Sequence, residues 1–317
     1  MRWVGIDEAG YGPNLGPMVM TAVVAEGPDA TPPDLWRDLA TTVARAGDPS
    51  GRLWVDDSKA ILRGRTGRDR LEAASLAALA APRSAPPRSF GGMLAALGAG
   101  TFADAELSPW LDADDLEIPR PPTRGLLERA TPPRPFDGAS WRIVAVRSVV
   151  VGPARFNAEL AATGSKAKVH FAAFARLLVP LWDSAADGVP TIIRSDKHGG
   201  RHFYLNPLFE VLPDSWIDRG EEGPALSRYT IRSPGRHLEL SLSPRADADD
   251  GLVALASIVS KAVRELWMDI FNAHWNTRIP HLRPTAGYPN DATRFREAIE
   301  PSCRERGLDP DSWWRVK

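Results

Sequence analysis

The 317-residue sequence has one cysteine, Cys303. That excludes a disulfide framework and a cysteine-based zinc site, and it fits a reducing compartment. No apolar run reaches the roughly 18 residues that a membrane span needs. The opening MRWVGIDEAG carries two acids where a signal peptide has its apolar stretch, so a cytoplasmic location is expected. Charge of one sign is not in excess either. Lys and Arg total 39 against 40 Asp and Glu, the net charge is −1 and the pI is about 6.6. This argues against a uniformly basic nucleic-acid binder but allows a local basic patch. With 43% hydrophobic and 25% charged residues, the chain is not disordered, collagen-like or a coiled coil, and it is long enough to bury a core. Proline is abundant, and the excess is local: 10 of 29 prolines lie between Ala81 and Ser140.

Arg2 to Ile6 reads as a short strand ending in Asp7-Glu8. Gly10, Gly12, Pro13, Gly16 and Pro17 make a tight turn, and Pro17 to Ala25 returns as a second strand of a hairpin. Helices are expected over Pro33–Ala46, Arg68–Ala81, Pro153–Ala162, Lys166–Ala186, Gly251–Thr277 and Ala292–Arg306. Strands are expected over Ser140–Val151, Pro190–Arg194, Ser227–Ile231 and His237–Leu242. The Pro-rich stretch 82–137 reads as an irregular insertion with one or two short helices, outside the central sheet. Hairpin strands followed by βα alternation predict an α/β fold with a mixed sheet, as a single domain over 1–317.

Three acidic features carry the chemistry. Asp7-Glu8 precede a Gly-rich turn, where the plain alternative is a solvated strand end. Asp196 follows the apolar strand TIIRS, and ligands gather at the carboxyl ends of strands in open α/β sheets. A capping role is its alternative. Asp247, Asp249 and Asp250 precede a long helix, where at least one is expected only to cap. Carboxylates at several strand ends, without cysteine or a compact His motif, suit Mg²⁺ or Mn²⁺ rather than zinc. Converging carboxylates with two such ions are the usual equipment for phosphodiester cleavage.

These residues resemble a family, the type 2 ribonucleases H (ribonuclease HII and its archaeal relatives). Gly5-Ile6-Asp7-Glu8-Ala9-Gly10-Tyr11-Gly12-Pro13 with Gly16-Pro17 is similar to the family's opening GIDEAGRGP…GP. Asp57-Ser58-Lys59 resembles its DSK element, Ala256-Ser257-Ile258-Val259-Ser260-Lys261 with Arg264 its ASIxAK helix, and Gly287-Tyr288-Pro289-Asn290-Asp291 its GYPSD element. Asp309-Pro310-Asp311-Ser312-Trp313-Trp314 is similar to the archaeal ending. The resemblance implies a ribonuclease H fold: a five-stranded mixed sheet, its first three strands antiparallel, flanked by helices. It also implies hydrolysis of RNA in RNA–DNA hybrids, or at ribonucleotides embedded in DNA duplex, by two Mg²⁺ or Mn²⁺ held by four carboxylates. Residue by residue these are Asp7, Glu8, Asp196 and Asp247, the last by its spacing of ten residues from Ser257. Their carboxyl groups are expected in one cleft, with at least one pKa raised by crowding.

The same resemblance assigns substrate contacts to Gly10, Tyr11 and Gly12, whose turn reads a ribose 2′-hydroxyl largely through its backbone, and to Lys59, Ser257, Lys261 and Tyr288. Tyr11 stands where the family has Arg, so that arginine's charge towards phosphate is missing here. Glu265 stands where Asp often follows the arginine. Two other functions remain open: a same-fold nuclease with a different nucleic-acid substrate, and a non-catalytic nucleic-acid-binding protein. Lys197-His198-Gly199-Gly200-Arg201-His202 reads either as a phosphate approach with a proton-shuttling histidine or as a polar exposed turn. Trp313 and Trp314 either stack on bases or pack, and Cys303 reads as a small packed residue.

Overall fold

The computed structural model describes every residue except 29, 84, 112–114, 130–134, 138 and 317. Parts of the Pro-rich stretch therefore lie outside the described residues. Strands β1 (Arg2–Ala9) and β2 (Met18–Glu26) form the expected hairpin, Arg2 pairing with Glu26 and Ala9 with Val19. Asp7 and Glu8 thus lie at the end of β1, followed in the strand only by Ala9. The helix expected over Pro33–Ala46 is only one turn, α1 (Leu35–Asp38), capped by the Asp34 side chain. The chain then turns into β3 (Val43–Ala44), which pairs with β4 (Leu53–Trp54). The β-branched run Thr41-Thr42-Val43 disfavours helix, and the Thr42 hydroxyl donates to the Pro135 carbonyl at 2.6 Å instead of facing solvent.

Next come α2 (Ser58–Leu62) and α3 (Gly67–Ala80), then α4 (Phe90–Ala96) and α5 (Pro121–Arg129) in the Pro-rich stretch. Among its described residues that stretch adds no strand to the main sheet, but it does add side chains to the core. Phe90, Met93, Leu94, Trp110, Ile118 and Phe136 are buried with α3 and with β5 (Arg142–Val151). Its attachment is polar as well: the buried Glu72 carboxylate accepts from the Arg120 backbone N–H and Nε and from the Thr123 hydroxyl. A buried charge persists when it is paired and hydrogen-bonded in this way.

Helices α6 (Pro153–Thr163) and α7 (Lys166–Ser184) lead to β6 (Thr191–Asp196), α8 (Leu205–Val211), β7 (Trp216–Glu222), β8 (Ser227–Ser233) and β9 (Arg236–Ser243). The chain finishes with α9 (Ala246–Asp249), α10 (Gly251–Arg278) and α11 (Pro289–Glu305). No helix among the described residues is long and apolar enough to cross a membrane.

The main sheet has seven strands in the order β5-β2-β1-β6-β9-β8-β7. The pairs β5·β2 and β2·β1 are antiparallel, and β1·β6 and β6·β9 are parallel. These five strands form the expected frame, and the count of five is corrected to seven. The two extra strands arise because Pro234-Gly235, with Gly235 at φ 75°, closes a tight hairpin between β8 and β9. This extends the sheet past its fifth strand, and β7 then pairs onto β8.

Alternation along β1 separates two cores. Trp3 packs with α3 and α10 on one face, and Val4 and Ile6 pack with α7 on the other. Gly5 lies on the α10 face, where an added Cβ would sit 2.2 Å from the Leu252 carbonyl carbon and 2.3 Å from the Val253 nitrogen.

Candidate active site

The same alternation places Asp7 on the α10 face and Glu8 on the α7 face. Asp7 is 6% exposed and accepts from the Glu8 N–H at 2.7 Å. The Ser260 hydroxyl bonds its carbonyl at 3.1 Å, and Ser257 donates to its carboxylate. Glu8 lies with Oε1 3.4 Å from Nε2 of the buried His170 on α7. Ile6 is in register with Ser195, so Asp7 and Asp196 come next on adjacent parallel strands and share a face. Asp247 lies on α9, just before α10. Asp250 is the residue that caps α10, accepting from Leu252 and Val253 N–H and pairing with Arg194 at 3.2 Å. The expected single cleft is therefore a rim at the carboxyl end of β1 and β6: Asp7, Asp196 and Asp247 on the α10 side, Glu8 on the other.

Three of the four carboxyl groups are raised. Asp7 is held well above the ordinary carboxyl range, first by burial, then by Glu8 and Asp196. Asp196 is also raised, mainly by burial and then by Glu8. Asp247 is pushed up to about 6 by burial, then by Asp57 and Asp196, against Lys59. All the donors are oxygens, which fits a hard divalent cation in kind. Among the described residues, however, no three His, Cys, Asp or Glu side chains stand close enough together to hold an ion as they are.

The raised pKa of Asp247 has a consequence for stability. Such a carboxylate contributes stability below its unfolded value of 3.8, and that contribution is lost as pH rises through about 6. Asp247→Asn is therefore expected to stabilise the metal-free protein at about pH 7 by about 1 kcal/mol, after allowing for partial exposure, and to change nothing near pH 3. Thermal melts at the two pH values test this, and equal shifts at both would contradict it.

The turn after β1 is held from beneath by two guanidinium groups. Arg315 donates to the carbonyls of Gly10 at 2.5 Å and Tyr11 at 3.0 Å, and Arg264 to those of Leu15 at 3.1 Å and Ala286 at 2.7 Å. Both are buried, and burial lowers the Arg315 pKa to about 9. Gly10 must be glycine: its φ is +83°, and a Cβ would meet the Pro17 carbonyl oxygen at 2.3 Å. In a trans peptide the N–H points opposite to the preceding C=O. Carbonyls 10 and 11 face inward, so the N–H groups of Tyr11 and Gly12 face outward. Among the described residues neither N–H has a hydrogen-bond partner, and nothing lies within 4 Å of a Cβ built on Gly12. The Tyr11 ring turns towards α7, edge-on to His170 at 4.7 Å, with Lys166 Nζ 5.0 Å from its centroid.

The remaining motif residues lie around this rim. Asp57 caps α2, accepting from the Lys59 N–H, and the Ser58 and Ser257 hydroxyls bond at 3.2 Å. Lys261 Nζ reaches the Tyr288 hydroxyl at 3.3 Å, and Tyr288 is 42% exposed. The Lys197–His202 segment is divided: Gly199-Gly200 form the exposed turn the sequence suggests, whereas Lys197 and His198 are buried and do not form a phosphate arm. Lys197 Nζ turns inward to the Gly223 carbonyl and the Ser227 hydroxyl. His198 is buried against His170, Phe174 and Tyr204, and that burial holds its pKa well below the ordinary histidine value. Trp313 is buried and Trp314 is half-buried beneath Arg296. Cys303 is buried, its thiol pushed up to about 12. Sequence reading missed His170 and Arg315. His170 sits on an otherwise apolar helix face, and Arg315 lies outside every recognisable element, so neither carries a local signal.

No family model matches the sequence, and no curated protein does. Solved structures do resemble it. The chain is similar to the structure of the PCNA:RNase HII complex from Archaeoglobus fulgidus, at 18% identity over 100% of this chain and 95% of that one, with a TM-score of 0.48. It is similar to ribonuclease H2 from Pyrococcus horikoshii OT3, at 15% identity over 99% and 92%, TM-score 0.40. It is also similar to Bst-RNase HIII in complex with Mn²⁺, at 16% identity over 99% and 66%, TM-score 0.43. The order and directions of its five frame strands, flanked by helices on both faces, give the chain an α/β ribonuclease H-like fold.

Proposed function

We propose that the chain is a divalent-metal-dependent endonuclease that hydrolyses the RNA strand of RNA–DNA hybrids, or ribonucleotides embedded in DNA duplex. The observation that carries this reading is the all-oxygen rim of Asp7, Glu8, Asp196 and Asp247 at the carboxyl end of β1 and β6, beside outward-facing backbone N–H groups. Asp7, Glu8, Asp196 and Asp247 would hold Mg²⁺ or Mn²⁺ after side-chain adjustment. Two such ions supply charge neutralisation at the scissile phosphate and a lowered pKa for the attacking water. Lys59 and Lys261 draw in phosphates. The N–H groups of Tyr11 and Gly12 donate to a ribose or phosphate oxygen, and the exposed Tyr288 ring offers a face to a sugar. Ser257 fixes the Asp7 carboxylate. The lone buried cysteine suits a cytoplasmic setting.

A second substrate class is favoured by one observation. Tyr11 turns away towards His170 and Lys166, so the turn offers no side-chain cation of its own to phosphate. Three matched duplexes decide between the readings: one embedded ribonucleotide, a long hybrid, and all-DNA. Cleavage of either of the first two in Mg²⁺ or Mn²⁺, lost with chelator and absent on all-DNA, is expected. Equal cutting of all-DNA points to the other nuclease class, and binding without cutting points to a non-catalytic protein.

A further inference from the structure

We propose that Arg315 is a positioning residue for the substrate loop: its guanidinium holds the Gly10 and Tyr11 carbonyls inward, so that two N–H groups face the substrate. This rests on reading the 10–12 turn as a substrate contact. Arg315 is 1% exposed, and among the described residues no carboxylate pairs with it. A guanidinium buried without a counter-ion is costly, and an apolar side chain would fill the space more cheaply. What the guanidinium alone provides is a planar fork that spans two successive peptide carbonyls.

The fork itself is rigidly mounted. The Arg315 N–H donates to the Asn14 carbonyl at 2.8 Å, and Asn14 Nδ2 donates back to the Arg315 carbonyl at 3.0 Å. Asn157 on α6 grips both neighbours, donating to the Trp314 carbonyl at 2.8 Å and accepting from the Val316 N–H at 3.0 Å. The Phe156 ring lies 4.0 Å from the guanidinium carbon. A load path therefore runs from α6 through Asn157 and Arg315 to the turn. Loss of the fork frees the two peptides to rotate, and the outward N–H pair then exists only part of the time. A site whose competent form is fractionally populated binds more weakly by that fraction. A positive charge beneath the turn also strengthens the outward donors.

The test uses the full chain with Arg315→Met, which keeps length without donors, and Arg315→Lys, which keeps the charge without the fork. KM for the hybrid is expected to rise about tenfold or more in both, with kcat changed less than about threefold and affinity for an all-DNA duplex of the same sequence within about twofold. A purely structural role would lower the active fraction without moving KM. A wild-type KM in either folded variant overturns the proposal. If Arg315→Met does not fold, Arg315→Lys decides alone. If the wild-type chain cleaves no hybrid, the proposed function fails separately. The ratio of hybrid to all-DNA binding then tests Arg315, and a ratio of one in the wild type, or one unchanged in the variants, overturns its role.

Discussion

Asp7→Asn is expected to lower hybrid cleavage by at least about 10³-fold while leaving a folded protein that still binds the hybrid. The Asp7 carboxylate is the most deeply buried acid of the rim and lies next to both Glu8 and Asp196. Asn keeps its shape and an oxygen that can still accept from Ser257 and the Glu8 N–H, so the local structure survives. It removes the charge through which a divalent ion would be drawn to this end of the sheet. Removing that charge also relieves repulsion, so the melting temperature of the metal-free protein should rise. Binding should persist because the attraction to phosphates comes from lysines and arginines elsewhere. Single-turnover cleavage in Mg²⁺ and in Mn²⁺, with melting and binding measured in parallel, tests this. Wild-type rates in both metals would remove the enzyme reading.

Gly5→Ala is expected to abolish the stable fold, costing about 4 kcal/mol or more. The added methyl would lie 2.2 to 2.6 Å from backbone atoms of Leu252 and Val253. Those atoms belong to the first turn of α10, which is capped by Asp250 and packed along β1 and β2. A side chain could swing aside, but a helix backbone wedged between a sheet and α3 cannot. Urea denaturation of the purified variant tests this, and a midpoint within error of wild type would show that α10 can shift. Gly5 opens the motif that carries the family resemblance, yet its role here is packing. It lets the helix bearing Ser257 and Lys261 approach the strand bearing Asp7.

Local signals in the sequence were enough for the elements with a strong period or composition. Helices α3, α6, α7, α10 and α11 and strands β1, β2, β5, β6, β8 and β9 all lie where pattern and turn residues predict them. The acids were legible because carboxylates beside a Gly-rich turn, at a strand end and before a long helix are unusual in combination. Strand β7 was not legible. Only Ile217 of its seven residues is buried, so its existence rests on backbone pairing to β8, which leaves no mark in side-chain periodicity. The helix expected over Pro33–Ala46 gave way to β-branched residues and a bond from Thr42 to a carbonyl 93 residues away. Only the tertiary structure set Glu8 against His170, turned Lys197 and His198 inward, and brought Arg315 under Gly10 from 305 positions along the chain. Periodicity records which face of its own element a residue occupies. Which distant element meets that face is set by packing, and packing is a property of the whole chain.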